Sequence, residues 1–258
     1  MQKNKIRESF ASAADTYDGF AVLQRQVGLD LIAMFEIRLA GQSVMDLGCG
    51  TGFIMQELMA ADAVQKMLAV DIAYSMLQTS RSKLKCFNTV QYICADAEKL
   101  PLVDDSLDTI VSNLALQWCQ DLAATFKGFK QVLRNEGQLF FSTFGAKTLQ
   151  ELKHSWAKVD SYSHVNEFSS ADQLRHGLSQ ASFKNIQIQQ CCYKLNYPSV
   201  MALMKELKGI GASHVMSGRN KKITGRLQMQ AMTRSYEQYR SNGLIPATYE
   251  VLFVSASV

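Results

Sequence analysis

The sequence predicts an α/β fold built on a doubly wound, mostly parallel sheet, and three observations carry that reading. Between residues 43 and 143, short apolar runs alternate with helical patterns. Those runs are apolar on both sides, as strands buried on two faces require. The first of them runs directly into a turn with glycines at alternate positions, Gly48, Gly50 and Gly52, and a helical pattern follows.

The first forty residues read as helix. Ile6, Phe10, Ala13, Ala14, Tyr17 and Ala21 recur at steps of three and four, which predicts one helix. A second is expected from Leu23 to Leu39, with Val27, Leu31, Met34 and Phe35 on one face and Gly41 as its stop. Strands follow at Val44–Leu47, Met67–Val70, Val90–Cys94, Thr109–Ser112 and Leu139–Phe141. Helices fall between them at Met55–Ala61, Ser75–Leu84 and Leu122–Leu133. Beyond Thr143, Leu149–Val159 and Asp172–Ala181 are helical, and Asn185–Tyr193 and Tyr249–Val254 are strands. Pro198 and Pro246 bracket a stretch with helical periodicity around Met201 to Leu207 and Leu227 to Tyr236. The expected organisation is a helical lid (1–42), an α/β core (43–195), a basic helical insertion (196–246) and a last core strand (247–258).

The chain has 258 residues, 47% hydrophobic and 19% charged, so it has the means to bury a full core. No apolar run is long enough to cross a bilayer. The basic N-terminus is not followed by an apolar segment, so neither a secretory signal nor a membrane anchor is expected. Six cysteines (Cys49, Cys86, Cys94, Cys119, Cys191 and Cys192) form no C-x-x-C pair, and no zinc-type spacing is present. Reduced thiols in the cytoplasm are the expectation, with Cys191 and Cys192 on opposite faces of a strand.

The net charge of +4 is unevenly spread. Lys205, Lys208, Arg219, Lys221, Lys222, Arg226, Arg234 and Arg240 stand against only Glu206 and Glu237 between residues 197 and 245, which points to an anionic partner for that region.

The glycine spacing restricts the ligand. A dinucleotide fingerprint needs its third glycine where Phe53 stands, and here it comes one residue early. A ligand with one carboxylate and an adenosine fits better than a pyrophosphate, and S-adenosylmethionine is such a ligand. Ligands of doubly wound sheets bind at the carboxyl ends of strands. Asp46 precedes the glycines. Asp71 closes the second strand, where a carboxylate can accept from both ribose hydroxyls. Asp96 follows the third and could accept from the adenine amino group, and Asn113 ends the fourth. Any one aspartate alone could be a helix cap or a turn residue. The three together, behind one glycine loop, point to a nucleoside site that also takes in Cys49, Ile72 and Ala97.

Asp46 to Gly52, Asp71, Asp96 and Asn113 resemble the signature positions of the class I S-adenosylmethionine-dependent methyltransferases. The resemblance implies a Rossmann-like sheet of seven strands with a reversed final hairpin. Outside that core the chain resembles one family, the malonyl-acyl-carrier-protein O-methyltransferases of biotin synthesis (BioC type). The matching stretches are Phe10 through Tyr17-Asp18 with Gln24, Ser112 to Trp118, Leu149 to Trp156, Val159-Asp160, and His164-Val165-Asn166 with Phe168. Leu207 to Ala212 and Pro246 to Val251 complete them.

That family's reaction esterifies the free carboxylate of a malonyl thioester, which is already ionised at neutral pH on the usual carboxyl pKa of about 4. No acid or base is needed, and no metal is expected. Substrate-positioning candidates are Tyr17 on the lid, Gln117 and Trp118 at the mouth of the site, and His164 and Asn166 in a polar loop. Lys208 or Arg226 are candidates for the cation opposite the malonyl carboxylate. A patch of Arg219, Lys221, Lys222 and Arg226 could steer an acidic carrier protein, and malonyl-coenzyme A is an alternative acceptor. Two other readings stand beside this one. One is a methyltransferase acting on a quinone or a free dicarboxylic acid. The other is an S-adenosylmethionine-binding protein without turnover. Nucleic acid is a weak candidate, because Asn113-Leu114-Ala115-Leu116 stands where a base-flipping Asn-Pro-Pro-Tyr motif would be.

Overall fold

Val44 and Met45 are adjacent and both fully buried, yet each belongs to a different apolar cluster. Successive strand residues face opposite sides of a sheet, so a strand apolar at both positions needs helices on both faces. The computed structural model describes residues 2–61, 63–212 and 225–258 and has this arrangement. Its strands are β1 (Ser43–Leu47), β2 (Lys66–Asp71), β3 (Val90–Cys94), β4 (Leu107–Asn113), β5 (Leu133–Phe144), β6 (Lys184–Tyr197) and β7 (Ile245–Ser257). They form one seven-stranded sheet in the order β3-β2-β1-β4-β5-β7-β6. The strands from β3 to β5 are parallel, and β7 runs antiparallel to both β5 and β6. This is the expected doubly wound sheet with its reversed final hairpin.

One face carries α3 (Val22–Met34) and α4 (Phe53–Ala61), with Val27, Leu31, Met55 and Leu58 buried against Val44, Met67 and Val111. The other carries α6 (Leu122–Val132) and α8 (Ala171–Gln180), whose Phe126, Phe129, Leu174 and Leu178 pack on Met45, Ile110 and Phe141. Both latter helices start at a side-chain cap. Asp121 accepts from the Ala124 N–H, and Ser170 makes a reciprocal capping box with Gln173. The remaining helices are α1 (Gln2–Ala13), α2 (Tyr17–Phe20), α5 (Tyr74–Lys83), α7 (Gln150–Ala157), α9 (Val200–Gly209) and α10 (Arg226–Tyr236).

Three expectations need correction. The first helix is broken: α1 ends at Ala13, and one turn, α2, follows before α3. The second stops at Met34 rather than Leu39. Glu36 takes a left-handed φ of +46°, and Ile37 and Leu39 are buried as packing residues of an irregular segment. Gly41, at φ +73°, turns the chain into β1 and caps no helix. Finally, the last strands are longer than expected, and Pro246 lies inside β7 opposite Asn196. That is tolerated because β7 pairs with β5 only from Val251 onward, so no partner there needs the missing N–H.

All six cysteines are free thiols. Among the described residues no helix is long and apolar enough to cross a membrane, and no group of three His, Cys, Asp or Glu side chains could hold a metal.

Candidate active site

The turn after β1 holds Gly48, Gly50 and Gly52 at φ +69°, +52° and +91°, a backbone region open to glycine and costly for other residues. Its N–H groups do not form a free anion cradle. Those of Gly48 and Cys49 donate to the Val70 carbonyl at 2.7 and 3.1 Å. Gly50 donates to Asp71 Oδ2 at 3.0 Å, and Gly52 to the Cys49 carbonyl at 2.9 Å. A pyrophosphate needs such groups aimed at the ligand, and here these four are taken up by the second strand, the Asp71 side chain and the turn itself. What the turn offers instead is bare backbone along a cleft of about 720 Å3.

Gly48, Gly50, Asp71, Ile72, Asp96, Ala97 and Asn113 line this cleft, and Tyr17 and Trp118 close it. A narrower recess continues from it under Tyr17 and Gly48, lined by Asp46, Cys49, Thr51, Gln24 and Arg25. Of the expected cofactor residues only Gly52 lies outside both. A side chain there would meet Ser80 Oγ at 2.6 Å, so its glycine serves close packing against α5.

The charges of the cleft are set by burial. Asp71 accepts from Ala73 N–H at 2.8 Å and from Gly50 N–H, yet burial still raises its pKa to about 6. Asp46 is only 1% exposed. Burial and then the neighbouring Asp71 carboxylate push it up to about 8, against one hydrogen bond from the Met55 N–H. Asp46 Oδ2 has no partner, and neither has Gln24 Oε1 in the same recess. Unpartnered buried oxygens are costly. They fit a ligand that brings donors, and the ammonium of a methionyl group is one. At the far end Asp96 Oδ1 accepts from Glu98 N–H at 3.1 Å and from Lys3 Nζ at 2.6 Å. The residues present therefore fit S-adenosylmethionine, with its amino acid in the recess and its nucleoside in the cleft.

Asn113 holds the site together with both ends of its amide. Nδ2 donates to the Gln24 carbonyl at 2.8 Å, and Oδ1 accepts from Ser142 Oγ at 2.7 Å, tying α3 to β4 and β5. The next residue, Leu114, sits at φ +48°, a strained conformation for a branched side chain. Its N–H donates to Ser142, and the bend presses Ala115 so close to Gly48 that a Cβ on Gly48 would lie 2.3 Å from Ala115 Cβ.

Trp118 also lines a second, wider and mostly apolar chamber of about 1540 Å3. Gln117, His164, Asn166 and Lys208 line it too, so most of the expected substrate residues are brought together beside the cofactor cleft. Gln117 is engaged, donating to the Leu114 carbonyl at 2.6 Å and accepting from Thr143. Tyr17 is half-buried. Its hydroxyl stays protonated, because burial and the Asp71 and Asp18 carboxylates all raise its pKa. Arg226 lines neither chamber nor cleft; it is exposed at the start of α10. Arg219, Lys221 and Lys222 lie outside the described residues.

Sequence reasoning missed Lys3, Arg25, Leu114 and Lys205 as site residues. The first two reach the cleft from helices that fold back over it, which no local spacing signals. Lys205 is one turn before Lys208 on α9 and lay within the recognised basic stretch.

Comparison with known proteins agrees with this geometry. The methyltransferase domain family matches residues 45–141. The chain is 38% identical over 260 residues to the malonyl-[acyl-carrier protein] O-methyltransferase of Gallionella capsiferriformans, covering 98% of this chain and 90% of that one. The protein of the same name from Methylococcus capsulatus is 39% identical over 255 residues, covering 97% and 92%. Among solved structures, Haemonchus contortus phosphoethanolamine N-methyltransferase 2 in complex with S-adenosyl-L-methionine shares the fold with a TM-score of 0.61 at 15% identity, over 96% of this chain and 57% of that one. With relatives of that identity along nearly its whole length, this chain belongs to the malonyl-[acyl-carrier protein] O-methyltransferase family of S-adenosylmethionine-dependent enzymes.

Proposed function

We infer that this chain transfers a methyl group from S-adenosylmethionine to the free carboxylate of malonyl-acyl carrier protein, in the service of biotin synthesis. The single observation that carries this is the near-full-length identity to proteins of that name. The wide chamber opening beside the cofactor cleft at Trp118 is consistent with it.

Bound in the cleft, S-adenosylmethionine supplies an electrophilic methyl group on a positively charged sulfur. The chain's own residues bind and align. Asp71 would accept from the ribose hydroxyls, Asp96 and Ala97 would border the adenine, and Asp46 would take the ammonium. Arg25, whose Nη1 donates to the Asp18 carbonyl at 2.7 Å, lines the recess and would face the methionyl carboxylate. Trp118, in a T-shaped pair with Phe10 at 5.4 Å between centroids, lines both cleft and chamber and would border the path between methyl donor and acceptor. Two opposite charges disappear as the ester forms, so a dry, aligned site favours the reaction without a general base. Such positioning is worth up to roughly 7–11 kcal/mol.

In this reading residues 1–42 act as a lid, the segment between β6 and β7 serves the acyl carrier, and the final strand completes the core. Arg219, Lys221, Lys222 and Arg226 would steer the acidic carrier protein, and malonyl-coenzyme A is an alternative acceptor. Six free thiols support a cytoplasmic setting.

The test is mass spectrometry of malonyl-acyl carrier protein incubated with the enzyme and S-adenosylmethionine. The expected result is a gain of one methyl group, removed by an esterase. Methylation of free dicarboxylic acids in preference to the thioester would redirect the assignment.

A further inference from the structure

Lys205 and Lys208 lie one turn apart on α9, and both line the wide chamber. Residues at this spacing share a helix face, with Cβ atoms about 5–6 Å apart. Neither ammonium has a carboxylate partner among the described residues. The acid beside them, Glu206, is engaged elsewhere, accepting from the Tyr197 hydroxyl at 2.7 Å. Both lysines are exposed, as is Met201 at the same rim, whereas the wall behind them is apolar, with Leu149, Leu152, Val165 and Leu207 buried. The chamber thus has two unneutralised cations at its mouth and an apolar interior that reaches Trp118. That polarity suits an anion held outside, on an arm that extends inward.

The malonyl carboxylate is a poor candidate for that anion. Its charge vanishes during the reaction, so two cations against it would stabilise the ground state more than the transition state. Its counter-charge comes with the cofactor. The other anion of a carrier-bound substrate is the phosphodiester that anchors the pantetheine arm to the carrier. We propose that Lys205 and Lys208 form the binding site for this phosphodiester. The assignment rests on the malonyl-carrier reading above.

The test compares Lys205→Met, Lys208→Met and the double variant on three malonyl thioesters. Methionine keeps the stem and the helix propensity. On malonyl-acyl carrier protein the double variant should raise KM by about tenfold or more, with kcat within about twofold. Malonyl-coenzyme A, which carries a phosphate at the same place on its arm, should suffer a similar rise. The N-acetylcysteamine thioester, which has no phosphate, should be unaffected. Pantetheine 4′-phosphate should bind the wild type and bind the double variant about tenfold more weakly, which needs no turnover. A KM rise shared by the phosphate-free thioester overturns the proposal and returns the lysines to the acyl group. A rise confined to the carrier protein also overturns it, because the lysines then touch the carrier's surface. No change in any KM overturns it as well. A wild type inactive on every malonyl thioester would sink the function itself, and this assignment with it.

Discussion

His164 lies flat on Trp156, with ring centroids 3.7 Å apart and 6° between the planes, and its Nε2 is 2.9 Å from Asp160 Oδ1. Trp156 belongs to α7 and is 4% exposed, so the stacked ring fixes the loop beyond that helix to it, and the polar contact ties two points of the loop together. Asp160 Oδ2 also accepts from Gln228 on α10, which brings a third element to the same point. The histidine therefore builds the chamber wall before it touches any substrate. Aromatic pairs add about 0.5–1.5 kcal/mol beyond area burial, and a hydrogen bond about 1 kcal/mol. His164→Ala should cost about 1–3 kcal/mol in urea unfolding, and His164→Phe clearly less. Affinity for S-adenosylhomocysteine should be the same in both, since His164 lines the chamber and not the cleft. A loss of cofactor affinity in either variant would contradict this division of labour.

Gly48 and Gly50 have the same left-handed backbone and opposite surroundings. A Cβ on Gly48 would meet Ala115 Cβ at 2.3 Å, whereas a Cβ on Gly50 meets nothing within 4 Å and projects beside the open cleft. Gly48→Ala should therefore unfold readily, because Ala115 is fixed by the Leu114 bend. Gly50→Ala carries mainly the left-handed strain of about 1–2 kcal/mol. It should remain folded and lose cofactor binding. Thermal melts with and without S-adenosylhomocysteine separate the two: the Gly50 variant still melts cooperatively, only a few degrees lower, and shows little ligand-induced shift.

Asp46 makes cofactor binding depend on pH. An unfolded aspartate releases its proton near 3.9, but the folded protein holds it to about 8. Between those values the folded state binds the extra proton. The contribution of Asp46 to apo stability is therefore greatest in acid and is lost as pH rises through about 8. A bound ammonium favours the ionised carboxylate, so ligand binding near pH 7 should expel a proton from Asp46. Titration calorimetry with S-adenosylhomocysteine in buffers of different ionisation heat should register that release, with affinity rising from pH 7 to 8. In Asp46→Asn the release should disappear. A buffer-independent heat in the unaltered protein would place the proton elsewhere.

The central sheet was legible because Val44–Leu47 and Met67–Val70 are buried on both faces and no helical period fits them. The glycine turn and the strand-end aspartates were legible for a related reason: strand ends converge wherever the sheet is parallel. The break after Ala13 was not. Ala14 and Tyr17 keep the apolar spacing of a helix while packing on a separate cluster with Ala73 and Met76. The contributions of Lys3 and Arg25 were equally hidden, since they come from the path of α1 to α3 over the cleft and not from any spacing along the chain.

That path is fastened at both rims of the cleft. On one side Lys3 pairs with Asp96 and Glu98. On the other, Asp18 accepts from Thr51 Oγ1 at 2.6 Å and pairs with Lys83. Between them Ile6, Phe10 and Tyr17 roof the site. Cofactor exchange then requires these fastenings to open. The Lys83–Asp18 pair is exposed and the Lys3 pairs are only partly buried; exposed ion pairs hold about 0–1 kcal/mol, which is enough to change a rate without changing the fold. Lys3→Met should leave the melting temperature within a few degrees and speed S-adenosylhomocysteine release severalfold in stopped-flow displacement. Asp18→Asn should do the same, and added salt should accelerate release in the unaltered protein more than in either variant. The roof also meets α9: the Thr16 hydroxyl donates to the Gly209 carbonyl at 3.4 Å, and the Phe20 ring fills the space a side chain at Gly209 would need. A carrier protein held near Lys205 and Lys208 would therefore press on the same roof. Its presence should slow cofactor release in the unaltered protein, and Lys3→Met and Asp18→Asn together should abolish that slowing. Equal release rates with and without the carrier would show that the two chambers act independently.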